Sequence, residues 1–225
     1  MNKIPVIAID GPSGSGKGTI AAEVAQKLGF FLLDSGVLYR ILGIAALKEG
    51  VSLEDTDRLT ALALQMDIEF GLSGSESVAL SGEDVSLEIR TDLGSQMASK
   101  VGAIPAARKA LFERQLAFRK APGLVADGRD MGAVVFPDAI VKIFLTASAE
   151  ERAQRRYKQL IGKGIDAILP DLLRELTERD KRDSQREISP LKPAEDATAL
   201  DTTNMSIDEV VNKVMSQCNK ELGIA

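Results

Sequence analysis

Short apolar runs closed by turn residues recur at Ile4–Ile9, Phe30–Leu33, Leu124–Ala126, Ile140–Leu145 and Thr198–Leu200, with helical spacing between most of them. Strands that alternate with helices predict an α/β fold, a parallel sheet covered by helices on both faces. The clearest helix is Lys17–Leu28, where Ile20, Val24 and Leu28 fall four apart and Gly29 stands at the expected stop. Another begins after Ser148, which forms an S-x-x-E capping box with Glu151 and leads into Arg152, Arg155, Arg156 and Lys158. The last runs from about Ser206 to Leu222 and puts Ile207, Val210, Val211, Val214, Cys218 and Leu222 on one stripe, which is expected to pack on the core.

The segment from Asp67 to Arg90 breaks this rhythm. Ile68 and Phe70 alternate with polar residues, as do Val78 and Leu80, with Gly71, Gly74 and Gly82 between them. That pattern predicts a small antiparallel β insertion, set at residues 66–102. Pro105 opens a further helix carrying Leu111 and Phe118, which Pro122 and Gly123 close. No internal repeat is visible. The expectation is one catalytic domain over 1–225, with the insertion and a mobile basic segment at 149–165.

Composition removes whole classes of chemistry. The 225 residues are 44% hydrophobic and 27% charged, an ordinary globular balance. With 28 Lys and Arg against 33 Asp and Glu, the net charge of −5 gives no whole-chain attraction to nucleic acid or to an anionic membrane. The chain has no histidine, and its single cysteine is Cys218. Histidine general bases, Ser/His/Asp triads, His-ligated zinc, CxxC redox centres and intramolecular disulfides are therefore out, and Cys218 reads as a small core residue. The opening apolar run, interrupted by Pro5, is too short for a signal peptide or a membrane span, so a cytoplasmic protein is expected.

After the first strand comes Asp10-Gly11-Pro12-Ser13-Gly14-Ser15-Gly16-Lys17-Gly18-Thr19, a G-x-x-x-x-G-K loop that opens the clearest helix. Strand, glycine loop and helix form the context of a P-loop NTPase-type fold. The glycines let consecutive N–H groups converge on phosphate at a helix N-terminus, and Lys17 adds a charge for the β and γ phosphates. Gly18 stands where the pattern has the metal-binding Ser or Thr, with Thr19 one residue later. This G-K-G-T form is similar to that of nucleoside monophosphate kinases, which implies that Mg²⁺ is held mainly through phosphates and water.

Arginines and carboxylates gather in four further places: Asp34–Arg40, Asp127–Gly132, the basic run after Ser148, and Arg179–Arg186. A reaction between two phosphate-bearing nucleotides crowds negative charge, which arginine forks neutralise and orient. On these residues the chain resembles the bacterial cytidylate kinase family over essentially its full length. The resemblance rests on the P-loop, Asp34-Ser35-Gly36 with Tyr39-Arg40, Gly82–Ser86 with Glu88-Ile89-Arg90, Gly123–Gly132, Val134–Pro137, and Glu178-Arg179-Asp180 with Arg182-Asp183 and Arg186.

The resemblance implies transfer of the γ-phosphoryl group of ATP to CMP or dCMP by a monomer acting on small-molecule nucleotides. It divides the chain into a core (1–35, 103–148 and 166–225), an acceptor-binding region (36–102) and the lid. ATP would lie on Gly11, Ser13, Gly14, Ser15, Gly16, Lys17, Gly18 and Thr19. Lys17, Arg152 and Arg156 would hold the transferring phosphoryl group, and Arg40, Arg129 and Arg186 the monophosphate. Ser99, Arg108 and Asp130 would read cytosine, while Ser35, Arg179 and Asp183 would meet the pentose. No protein side chain is expected to bind metal. The missing histidine fits, because the attacking phosphate oxygen is already anionic near neutral pH and needs no base. Two rivals remain. A P-loop GTPase switch needs an N-K-x-D motif, absent after each of Asn2-Lys3, Asn212-Lys213 and Asn219-Lys220. A kinase of another small acceptor, UMP or shikimate, would share the loop and the arginines.

Overall fold

In the computed structural model, which describes residues 3–70, 77–162 and 164–224, the predicted rhythm of strands and helices folds as follows. β1 (Val6–Asp10), α1 (Lys17–Leu28) and β2 (Phe31–Asp34) open the chain. Then come α2 (Ser35–Lys48), α3 (Thr56–Gln65), β3 (Ile68–Phe70), β4 (Val78–Leu80), β5 (Glu83–Asp84), α4 (Asp92–Val101) and α5 (Pro105–Leu116). The chain continues through β6 (Leu124–Gly128), β7 (Val141–Thr146), α6 (Ala149–Ile161), α7 (Leu169–Ser184), β8 (Thr198–Asp201) and α8 (Ile207–Leu222).

β2, β6, β1, β7 and β8 form one sheet in that order, every neighbouring pair parallel. β1 and β6 are buried along their whole length, which explains why they read as unbroken apolar runs. Ile7, Ile9, Val125, Ile143 and Leu145 meet Ile20 and Val24 of α1 and Val210, Val211, Val214 and Cys218 of α8 in one cluster. Each such aliphatic side chain contributes about 1.5–3 kcal/mol when fully buried. Burial pushes the Cys218 thiol up to about 11, as suits a core residue. Ile207, expected on the buried stripe, is 54% exposed at the first position of α8, outside the cluster that Val210, Val211 and Val214 join. The register sets Asp34 beside Asp127 and Asp10 beside Gly128, so the site loops all leave from the carboxyl ends of adjacent strands.

The chain divides into two compact units, Ser35–Gln115 and the remainder. In the first, α2 packs along α4, and a Cβ on Gly43 would fall 2.5 Å from that of Met97. The antiparallel sheet has the order β3-β4-β5, with Ile68 opposite Leu80. It ends at Asp84, and the rest of the 66–102 segment is a short 3₁₀ turn followed by α4. Gly71 and Gly74 lie outside the described residues. α5 stops at Leu116, short of Phe118. Beyond it Arg119 donates twice to the Ile4 carbonyl and once to Asp138, fixing the segment in a turn.

The basic run after Ser148 is a regular helix. Ser148 accepts the Glu151 N–H, but the Glu151 carboxylate turns to Arg155 at 2.9 Å, so the predicted capping box is one-sided. α6 packs on α7 through Ala153, Leu160, Leu172 and Leu176. No described helix is long and apolar enough to cross a membrane.

Candidate active site

The loop between β1 and α1 is shaped by what its glycines allow. A Cβ on Gly11 would stand 2.2 Å from the Leu145 carbonyl oxygen, so only glycine lets the chain turn there against β7. α1 then begins after Gly16 with no side-chain cap and no acidic residue in its first turn. Its leading N–H groups keep their need for an acceptor, an arrangement that suits an anion.

Lys17 leans over the loop and donates to the Pro12 carbonyl at 3.2 Å. Burial pulls its pKa below the ordinary lysine value, and Arg129 and Arg179 add to this, while Asp127 and Asp34 oppose it. Burial likewise pushes Asp127 up, against the pull of Lys17. A dense phosphate group arriving here would restore the full charge of the lysine. Asp127 also shows what Gly18 leaves room for: a Cβ on Gly18 would sit 3.2 Å from Asp127 Oδ2, and Asp127 Oδ1 is buried without a hydrogen-bond partner.

Asp10 grips the turn that follows β6. Its two carboxylate oxygens accept the Met131 and Gly132 N–H groups, each at 2.8 Å, which fixes the backbone just after Arg129 and Asp130. Burial pushes Asp10 up to about 7 even so, with those two N–H groups pulling the other way. Asp130 is buried at the head of this turn.

Three predicted arginines converge on Asp183, which is 0% exposed. Arg129 Nε lies 3.1 Å away and Arg179 Nε 3.9 Å, and Arg186 Nη2 donates to its other oxygen. Burial opposes its charge, but Arg129, Arg186 and Arg179 together hold its carboxyl below the usual range. Asp183 thus orients a fan of guanidinium groups. On α6, Arg152 is buried and bonded to Ala147, Ser13 and Asp180, whereas Arg156 donates to Gln159 nearer the surface.

Ser35, Arg40, Ser99 and Arg108 belong to the other unit. Ser35 and Arg40 lie on α2, and Arg108, on α5, stacks over the Tyr39 ring at 5.6 Å while donating to the Gly102 carbonyl. Ser99 is 1% exposed, with its hydroxyl buried and unbonded. Reading by motif gave no role to Asp10, Asp127, Arg155 or Thr202. The acids had a signal, since a carboxylate ending a fully apolar strand is costly unless something uses it. Arg155 and Thr202, 47 residues apart in the chain, had none.

An uncapped helix end, a half-buried lysine and a guanidinium fan, with no histidine in reach, suit the movement of a phosphoryl group between two anions. On this fold that defines a P-loop kinase. The cytidylate kinase family model matches residues 7–220. The curated cytidylate kinases of Stutzerimonas stutzeri and Vibrio vulnificus (strain CMCP6) are 57% and 55% identical over 220 and 222 residues, covering 96% and 98% of this chain and the same shares of theirs. A solved gluconokinase from Sinorhizobium meliloti 1021 aligns over 98% of this chain and 94% of its own, at 17% identity and a TM-score of 0.48. The chain belongs to the cytidylate kinase family.

Proposed function

We propose that the chain transfers the γ-phosphoryl group of ATP to CMP, and to dCMP, giving ADP and the nucleoside diphosphate. The observation that carries the donor half is the uncapped start of α1 beside a half-buried Lys17 that leans over the loop. The ATP phosphates lie along residues 11–19, with the Gly14, Gly16 and Gly18 amides donating. Arg156 reaches the transferring group, and Arg152 serves the donor site from behind the loop, where it holds the Ser13 carbonyl at 3.0 Å.

Arg40, Arg129 and Arg186 hold the acceptor monophosphate, and Ser35, Arg179 and Asp183 meet its pentose. An acceptor oxygen that is anionic above a second phosphate pKa of about 6 attacks the γ-phosphorus in line, with no proton to remove. The arginines then lower the repulsion between two anions, and α6 shields the γ-phosphate from water. Mg²⁺ fits this site through Asp127. Its Oδ1 lacks a partner and its Oδ2 lies beside Gly18, and no cluster of three or more metal-ligating side chains occurs among the described residues. Asp127 would hold the ion by way of water, and the ion would supply charge neutralisation for the transferring phosphoryl group.

Cytosine differs from uracil by an amino donor in place of a carbonyl, and the Asp130 side chain accepts from that donor, with Ser99 and Arg108 completing the base site. An acceptor panel of CMP, dCMP, UMP, AMP and shikimate tests the reading. CMP should give the highest kcat/KM, and Asp130→Asn should lower the CMP to UMP ratio by roughly tenfold. A higher kcat/KM for AMP or shikimate than for CMP would overturn it.

A further inference from the structure

The outer side of the phosphate loop is held by side chains that no phosphate needs to touch. Arg152 Nη1 donates to the Ser13 carbonyl at 3.0 Å, and Arg155 Nη1 donates to the Ser15 carbonyl at 3.3 Å. Both arginines are anchored in turn. Arg152 Nε donates to Ala147 at 3.0 Å and its Nη2 to Asp180 at 2.5 Å. Arg155 Nε donates to Glu151 at 2.9 Å, while its Nη1 and Nη2 donate to the Thr202 hydroxyl at 3.1 Å and the Thr202 carbonyl at 2.6 Å. Every nitrogen of both forks is engaged by protein oxygen, through three donations from Arg152 and four from Arg155.

Thr202 closes the bracket from the sheet side. It is 2% exposed, and its hydroxyl lies 3.0 Å from the Thr146 carbonyl on β7 and 3.4 Å from the Ser15 carbonyl. The same residue that receives Arg155 thus ties the loop to the end of the neighbouring strand. α6 itself sits against the loop, since a Cβ on Gly14 would come within 3.1 Å of Arg152 Cβ and 3.3 Å of its carbonyl oxygen.

In a trans peptide the C=O and the following N–H point in opposite directions. Drawing the Ser13 and Ser15 carbonyls outward onto α6 therefore aims the Gly14 and Gly16 N–H groups into the hollow of the loop. We propose that Arg155 and Thr202, together with Arg152, are positioning residues of the donor site, a bracket that orients the loop amides toward the ATP phosphates without contacting them. The inference rests on the donor reading given above. It assigns Arg155 a geometric role that its charge alone cannot fill, because a fork bonded at three nitrogens fixes direction where an ammonium would not.

The test is calorimetric titration of a non-hydrolysable ATP analogue, and separately of CMP, into folded variants. Thr202→Val, which keeps the shape and removes the hydroxyl, should weaken the analogue about three- to tenfold and leave CMP affinity in place. Thr202→Ser should restore tight binding. Arg155→Lys should weaken the analogue as much as Arg155→Gln, and adding Thr202→Val to either should cost little more, since the bracket is already open. Unchanged analogue affinity in Thr202→Val, or full affinity in Arg155→Lys, overturns the bracket. Equal losses for CMP and for the analogue overturn it too, by showing general loosening. If Thr202→Val fails to fold, the pair of Arg155 variants decides alone. A wild-type chain that does not bind the analogue overturns the donor reading and the bracket with it, whereas a Lys17→Ala loss beside an unaffected Thr202→Val overturns the bracket only.

Discussion

α1 and α8 pack into the same apolar cluster, yet their N-termini are opposites. α8 starts with Ser206 and Glu209 in a reciprocal capping box, with Asp208 in its first turn. The Ser206 and Glu209 N–H groups are satisfied by its own side chains, and its dipole is complemented. α1 starts after a bare glycine with a lysine as its first residue and no acid in its first turn. One end is built for stability, and the other leaves its donors open for a ligand. Local rules of helix design are broken where the chemistry lies and obeyed elsewhere, which is how strain and function share one fold.

The comparison breaks most visibly at Lys17. Lys17→Ala should keep the melting temperature near that of the parent while kcat falls by about 10² or more, the loss expected for one transition-state contact. An unchanged kcat in the folded variant would remove the donor role of α1. Ser206→Ala should do the reverse. It should cost about 1 kcal/mol in urea unfolding and leave kcat/KM for CMP unaltered. A loss of activity without loss of stability there would erase the distinction between the two ends.

The smallest signal is one of slope against pH. Glu209 is held below its ordinary pKa by the Ser206 N–H and hydroxyl, so its contribution is present above its unfolded pKa and lost as pH falls. Asp10 has the opposite sign. Its folded pKa of about 7 exceeds its ordinary value of 3.8, so its contribution is present at low pH and lost as pH rises through that window. Unfolding free energies measured from pH 5 to 8 should therefore climb more, or fall less, in Asp10→Asn than in the parent. Parallel curves would show that Asp10 is ionised throughout.

Much of this could be read along the chain, for a reason that also marks where reading stops. The strands, the P-loop and α1 follow from local patterns, because buried parallel strands and a glycine loop each need a particular run of residues. The arginines that meet at Asp183 were visible as a charged cluster, but their common partner was not. Arg129 and Asp183 are 54 residues apart, and only the packing of α7 joins them. Arg155 and Thr202 show the same limit. An arginine on a basic helix face looks like solvated charge, and a threonine after a strand looks like a turn, until the fold places one on the other. α5 ended at Leu116 because Arg119 is tied to Ile4, a contact spanning 115 residues.

The most direct measurement follows the backbone amides of ¹⁵N-labelled protein by NMR while a non-hydrolysable ATP analogue is added. Gly14, Gly16, Lys17 and Gly18 amide protons should move downfield together and saturate on one binding curve, as N–H groups do on donating to phosphate oxygens. Asp208 and Glu209, at the capped start of α8, should stay where they are. Equal small shifts at both helix ends, or none at Gly14 to Gly18 under saturating analogue, would contradict the claim that the open end of α1 is the donor phosphate site.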